Sequence, residues 1–328
     1  MYSPVLVSII IPVYKVEKYI RRCLMSVCRQ TSSSFECIIV NDATPDASME
    51  IVHEIVQLYS SNKRFVIINH HTNKGLSVSR NDGVEAANGE YLLFLDSDDE
   101  LNSEIIIETF ASYIEKYGKA DFVLGRCKVI GGEPLSHVAE GYYRTESIVT
   151  SYFRRNWPVI ACSKFINRNF FCVNDLWFKP NLYHEDISFS MKLALSSSVM
   201  ISMNEYVYRY YIRENSITTQ MGFKNYMDYL HNMEIGYKYL IHKKEKALPS
   251  GLISDFFVQG LFGFFVSAIR NPSLSTKEVS CIISVYKRVC KNICHSLPDN
   301  FKYKIEYAFL CLSPSWLYKL VRLLYVGK

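Results

Sequence analysis

The chain has 328 residues, of which 49% are apolar and 21% charged, with a net charge of +5. This balance suits one large globular domain with a smaller companion, and it excludes a disordered, collagen-like or disulfide-scaffold protein. The charge is uneven: residues 221–328 hold 15 Lys and Arg against 7 Asp and Glu, whereas residues 1–220 hold 22 against 25.

An acidic body with a basic C-terminal region points to two tasks, one site that uses carboxylates and one surface that attracts anions. The ten cysteines are scattered without Cys-x-x-Cys or zinc-finger spacing, so free thiols in a reducing compartment are expected. The opening MYSPVLVSIIIPVY lacks a basic n-region and a small-residue cleavage site, and reads as a strand rather than a leader.

From residue 5 the pattern alternates. VLVSIIIPVY (5–14) is a continuous apolar run, as a strand buried on both faces should be. Residues 16–30 place Ile20, Leu24, Val27 and Cys28 on one helical face, and FECIIVND (35–42) is strand-like again. Pro45 and Asp46 open a helix carrying Ile51, Val52, Ile55 and Leu58. RFVIIN (64–69) predicts a third strand, 76–89 a helix entered at Gly75 and closed by Gly89, EYLLFLD (90–96) a fourth strand, and 103–117 a helix. Strand–helix alternation with short links predicts an α/β domain with a mostly parallel sheet flanked by helices, whose ligands bind at the carboxyl ends of the strands.

Residues 126–220 are irregular and aromatic-rich; beyond 221 helical patterns, lysines and large apolar residues predict a C-terminal helical region. Within LISDFFVQGLFGFFVSAI (252–269) the uninterrupted part after Asp255 is too short to span a bilayer and still contains Gln259. The domain boundaries expected are 1–220 (1–100 nucleotide-binding, 101–220 acceptor-binding) and 221–328.

Polar groups fall at three strand ends: Pro12–Tyr14, Asn41–Asp46 and Asp96–Asp99. Three aspartates in DSDD repel one another unless a cation compensates, and hard oxygen ligands beside a diphosphate suit Mg²⁺ or Mn²⁺. Asp99 alternatively caps the helix near Ser103. Asp42 can accept from a nucleobase or ribose, or cap a turn before Pro45. Arg80 can meet a phosphate or the aspartates, or lie on an exposed helix face. HED (184–186) can supply a general base, or simply start the periodic helix that follows.

Together SIIIPVYKVEKYIRRCLMSVCRQT, FECIIVNDATPDAS, NKGLSVSRNDGVEAANGEYLLFLDSDDEL and YHEDISFSMKLA resemble the inverting glycosyltransferases of family 2, of GT-A fold, over residues 5–220. That resemblance implies a nucleotide-sugar site of Pro12, Val13, Tyr14, Glu17, Asp42, Arg80, Asp96 and Ser97. It implies Asp98 and Asp96 as ligands of Mn²⁺ or Mg²⁺, and Asp186 as the base that deprotonates the acceptor. Glu185, His184 and Arg213 are implied at the acceptor or diphosphate, and Arg209 shares the diphosphate assignment with Arg213. Asn41, where relatives often carry a second aspartate, and Lys15, where asparagine is common, depart from the pattern and bear on base preference.

The expected activity is metal-dependent, inverting transfer of one hexose or N-acetylhexosamine from a UDP-sugar to a lipid-linked glycan of a surface polysaccharide, O-antigen or capsule. The rivals are a rhamnosyltransferase using a dTDP-sugar and a non-catalytic subunit that keeps the fold. The Gln-x-x-Arg-Trp motif of processive synthases is missing, which favours one sugar per encounter. Lysines interleaved with aromatics in 238–248, 286–297 and 315–328 fit an in-plane contact at the inner face of the plasma membrane, or a packed helical subdomain with solvated lysines. No nucleic-acid-binding module is present; a homodimer is compatible with the sequence.

Overall fold

A computed structural model describes residues 5–213, 221–243, 249–293 and 298–312. The chain opens with β1 (Val7–Val13), α1 (Ile20–Cys28), β2 (Phe35–Asn41), α2 (Ser48–Tyr59), β3 (Arg64–Asn69), α3 (Leu76–Ala86) and β4 (Tyr91–Phe94). The two-residue β5 (Glu100–Leu101), α4 (Ile106–Tyr117), β6 (Phe122–Ile130), β7 (Gly141–Arg144) and α5 (Thr145–Phe153) follow. Next come β8 (Lys164–Asn167), α6 (Arg168–Val173), α7 (Glu185–Ser196) and β9 (Val199–Tyr211). Four helices, α8 (Phe223–His242), α9 (Ser250–Arg270), α10 (Thr276–Ile293) and α11 (Phe301–Leu312), complete the described chain.

All nine strands form one sheet of order β3-β2-β1-β4-β8-β6-β9-β5, with β7 on β9. β3, β2, β1 and β4 are parallel, and helices link them. Val7, Ile9, Ile10, Ile11 and Val13 of β1 have no exposed surface, and each such burial contributes roughly 1.5–3 kcal/mol before ordering entropy is counted. Beyond β4 the sheet is mixed rather than mostly parallel. β8 runs antiparallel to β4 and β6, and β5 and β7 run antiparallel to β9, while β6 and β9 are parallel. Parallel neighbours need crossover connections, and the strand–helix alternation that supplies them stops after Tyr117.

Two expected helix ends differ. α3 stops at Ala86, with Ala87 already extended, so Gly89 is not its cap. Gly89 is required by close approach instead, because a Cβ there would lie 2.5 Å from the Ser8 backbone nitrogen. α4 starts at Ile106 rather than 103, and its Ile106 N–H donates to the buried Gln30 side chain (3.1 Å). That contact supplies the helix start expected of Asp99.

The chain divides into two compact units. The sheet unit comprises residues up to 148 with 156–181 and 193–212; residues 149–155, 182–192 and those from 213 onward form the helical unit. In the helical unit α8, α10 and α11 pack on α9. Residues Gly251–Arg270 are long and apolar enough to cross a membrane by length and composition. Phe256, Phe257, Leu261, Phe265 and Ala268 are nevertheless buried, and the exposed stripe is Gln259, Gly263, Ser267 and Arg270. α9 is thus an amphipathic core helix of this unit, with its polar and small residues outward.

Candidate active site at the strand ends

β1 pairs with β2 as far as Val13 and Asn41, but its pairing with β4 ends at Ile10 and Phe94, with one further bond from the Leu95 N–H to the Ile10 carbonyl (3.0 Å). Pro12 lies just beyond that point and has no N–H to continue the ladder on the β4 side. The crevice expected between parallel strand ends therefore begins at Pro12. Val13 is fully buried and its carbonyl accepts from the Asp42 N–H (3.0 Å). Tyr14 is 40% exposed.

The turns after β1 and β2 are strained and tied together. Lys15 and Ala43 both have positive φ (54° and 53°), uncommon for residues with a Cβ. The Lys15 N–H donates to Thr44 Oγ1 (2.8 Å), the Glu17 N–H to Asp46 Oδ2 (3.1 Å) and the Ala47 N–H to Glu17 Oε2 (3.2 Å). Glu17 thus has a structural bond to the second loop.

Asp42 is buried and braces the segment after β3. Its Oδ1 lies 2.7 Å from His70 Nδ1 and accepts from the Lys74 N–H (2.7 Å), while Oδ2 accepts from the Gly75 N–H (2.8 Å). Gly75 has φ of 89° at the entry to α3, a conformation that favours glycine. His70, which the sequence reading did not single out, also reaches Asp82 through Nε2 (2.8 Å).

The DSDD loop separates its carboxylates by partner. Arg80, whose side chain is 1% exposed, donates from Nη2 to Asp96 Oδ1 at 2.7 Å. The Cys162 thiol meets Asp96 Oδ2 at 3.3 Å, and the Asp96 N–H donates to the Tyr208 hydroxyl (3.2 Å). Ser97 is buried, Asp98 is partly exposed, and the Asp98 carbonyl accepts from Arg22 Nη2 (2.6 Å). Asp99 is buried with Oδ2 accepting from the Tyr208 hydroxyl (2.6 Å) and Oδ1 from the Tyr211 N–H (2.8 Å), so it holds the loop to β9. Burial first, then the charges of Asp98 and Asp96, push its carboxyl up to about 8 against those hydrogen bonds.

Among the described residues no group of three or more His, Cys, Asp and Glu is arranged to hold a metal ion. Asp96 and Asp98 together fit an ion of the Mg²⁺ or Mn²⁺ kind, which takes one or two carboxylates and completes its shell with phosphate oxygens and water. The charges of Asp98 and Asp96, which add to the burial that raises Asp99, are ones such a cation would offset. Arg209 donates from Nε to Asn102 (2.8 Å) and lies 3.9 Å from Glu100.

In the helical unit, Glu185 and Asp186 occupy the first turn of α7, Glu185 buried and Asp186 partly exposed. Acids there are favoured by the unpaired N–H groups and the helix dipole. His184 enters the helix with φ of 60°, its ring edge-on to Tyr229 (5.9 Å) and Phe264 (5.4 Å). Burial lowers its pKa, opposed by Asp228. Two residues of α8 that no motif marked hold this turn. Asp228 Oδ2 accepts from the Tyr183 N–H (2.9 Å); Asn232 donates to the Tyr183 carbonyl (2.9 Å) and accepts from the Ser188 hydroxyl (2.7 Å). Asp228 and Asn232 are buried polar residues four apart on one helix face, and that spacing was their only signal. Arg213 is half-buried.

The chain is similar to glycosyltransferase GlyA of Streptococcus pneumoniae serotype 4, 29% identical over 65% of this chain and 31% of the relative. It is similar to the uncharacterized glycosyltransferase YibD of Escherichia coli K12, 27% identical over 66% of this chain and 65% of the relative. The matched segments therefore span less than two thirds of these relatives' lengths. The crystal structure of Staphylococcus aureus TarS 1–349 in complex with UDP-GlcNAc superimposes with a TM-score of 0.73 at 22% identity, covering 88% of this chain and 81% of that one, which establishes the shared fold. The model of glycosyl transferase family 2 matches residues 8–173, just over half of the chain, and the protein belongs to that family.

Proposed function

We propose that this protein transfers one hexose or N-acetylhexosamine from a UDP-sugar to the acceptor glycan of a cell-surface polymer, with inversion at the anomeric carbon. The observation that carries the reading is that β1 and β4 stop pairing at Ile10 and Phe94, with Asp96 and Asp98 partly exposed just after β4 and the buried Arg80 bonded to Asp96. The relatives add support. TarS of S. aureus, named a poly(ribitol-phosphate) β-N-acetylglucosaminyltransferase, is 28% identical over 62% of this chain, and its structures include complexes with UDP-GlcNAc and with UDP.

In this mechanism the base and ribose lie along the ends of β1 and β2, near Tyr14 and the turn that Asp42 braces. Asp96 and Asp98 would hold Mn²⁺ or Mg²⁺, which when bound offsets the charge of the departing diphosphate. Arg80 fixes the Asp96 carboxylate. Asp186 takes the proton of the acceptor hydroxyl as that oxygen bonds to the anomeric carbon and the bond to UDP breaks, which inverts the centre and gives a β-linkage from an α-linked donor. Glu185 and His184 orient the acceptor, and Arg213 is assigned to the leaving diphosphate.

A lipid-linked acceptor at the inner face of the plasma membrane would give the basic helical unit a purpose. On α11 Phe301 and Ile305 are 76% and 58% exposed beside Lys302 and Lys304, a pairing suited to an anionic lipid surface.

The test is a donor screen with Mn²⁺: UDP-Glc, UDP-Gal, UDP-GlcNAc, UDP-GalNAc and dTDP-rhamnose, reading thermal shift and sugar release. A response confined to UDP-sugars supports the proposal. Preference for the dTDP donor moves the chain to a rhamnosyltransferase, and no metal-dependent response to any of the five overturns the catalytic reading.

A further inference from the structure

The sheet unit contains a second cleft, of about 560 Å³, walled by α1, β5, residues 102–104 and Arg209. Its lining carries five cations, Lys18, Arg21, Arg22, Arg29 and Arg209, against the two carboxylates Glu100 and Glu104. Arg21 is answered from outside by Glu54 (3.0 Å). Arg22 and Arg209 must share Glu100, at 2.9 and 3.9 Å, and the Tyr211 hydroxyl also donates to that carboxylate (2.7 Å). The buried Arg22 Nε has no well-aligned acceptor, and the exposed Lys18 and Arg29 have no charge partner among the described residues. This surplus stands within residues 1–220, which carry more acids than bases.

We propose that the cleft is a phosphate-ester subsite, taking a phosphomonoester or phosphodiester group on a polyol or sugar. Guanidinium forks match phosphate oxygens in pairs, and a surplus of fixed cations in a concave, part-apolar cleft favours such a dianion or monoanion over neutral sugar. The volume exceeds that of a phosphate alone, and Met25 and Leu101 in the lining offer apolar surface to the carbon skeleton. Arg22 is fixed, its guanidinium 3.7 Å from the Tyr211 ring centroid and bonded to the Asp98 carbonyl, while Lys18 and Arg29 are free to close on a ligand. This subsite does not rest on the donor assignment, since it lies outside the strand-end crevice.

The experiment titrates the full chain with sn-glycerol 3-phosphate, inorganic phosphate, glycerol, and vesicles of phosphatidylglycerol in phosphatidylcholine. Metal-dependent UDP binding is measured on the same samples. Glycerol 3-phosphate is expected to bind with or without saturating UDP, and glycerol to give no signal. The Lys18→Gln/Arg29→Gln double variant should bind the ester roughly tenfold more weakly, a loss fitting two solvent-exposed ion pairs, with UDP binding unchanged. Unaltered ester binding in the variant, displacement of the ester by UDP, inorganic phosphate binding more tightly than the ester, or binding to vesicles alone would each overturn the proposal. Failure of UDP to bind any form would instead count against the donor reading.

Discussion

The loop Asp96–Asp99 and the turn His184–Asp186 both carry clustered acids, but they are braced by different means. In the first, charge is met by charge and hydroxyl close by: Arg80 on Asp96, Tyr208 on Asp99, Arg22 on the Asp98 carbonyl. In the second, side chains of α8 hold the chain on either side of the acids, the Asn232 amide at Tyr183 and Ser188 and the Asp228 carboxylate at the Tyr183 N–H. The contrast fits a division of labour. A loop that balances like charges suits a cation and a diphosphate, whereas a rigid turn with a partly exposed acid suits proton transfer at a fixed position.

Removing the acids breaks the comparison most sharply. Asp98→Asn should nearly abolish transfer by removing a ligand of the metal, and Asp186→Asn should lower it by about 10²–10⁴-fold, the range for a positioned acid–base group, in an assay with saturating donor and acceptor. Full activity in Asp186→Asn would take the base assignment away.

The braces come next. Tyr208→Phe deletes the hydroxyl between Asp99 and the Asp96 N–H, and Asn232→Leu deletes the amide behind Asp186. Each leaves buried partners unsatisfied, at a cost of about 1–3 kcal/mol, readable by urea denaturation. The kinetic signatures should divide: Tyr208→Phe raises the donor KM, and Asn232→Leu lowers kcat with the donor KM unchanged. Identical signatures would erase the distinction between the two regions.

Stability should also depend on pH. With its folded pKa raised to about 8, Asp99 keeps a proton that the unfolded chain releases near pH 4. Its contribution to stability is therefore full below about pH 4 and falls as pH rises through about 8. Urea titrations at pH 5 and pH 8.5 should show wild type losing more stability than Asp99→Asn; equal losses would contradict the raised pKa.

Much of the sheet unit was legible because its parallel strands are continuous apolar runs: FECIIVN matches the buried β2, and RFVIIN matches the half-buried edge strand β3 residue for residue. What remained hidden depended on distant partners. The start of α4 is set by Gln30, the need for Gly89 by Ser8, and the fate of Asp99 by Tyr208 and Tyr211 more than a hundred residues away. β9 was missed as a strand of 13 residues because its run, VMISMNEYVYRYY, is interrupted by Asn204 and Glu205 and bulges against β6. The aspartates of DSDD and HED stood out by clustering, but Cys162, Asp228 and Asn232 carry no local pattern that distinguishes a brace from an ordinary polar residue.

Calorimetric titration of UDP with and without Mn²⁺ into wild type, Asp98→Asn and Asp186→Asn bears most directly on the division of labour. Wild type and Asp186→Asn should bind UDP alike and more tightly with Mn²⁺, while Asp98→Asn should lose the Mn²⁺ dependence. Metal-dependent UDP binding that survives in Asp98→Asn, or disappears in Asp186→Asn, would contradict it.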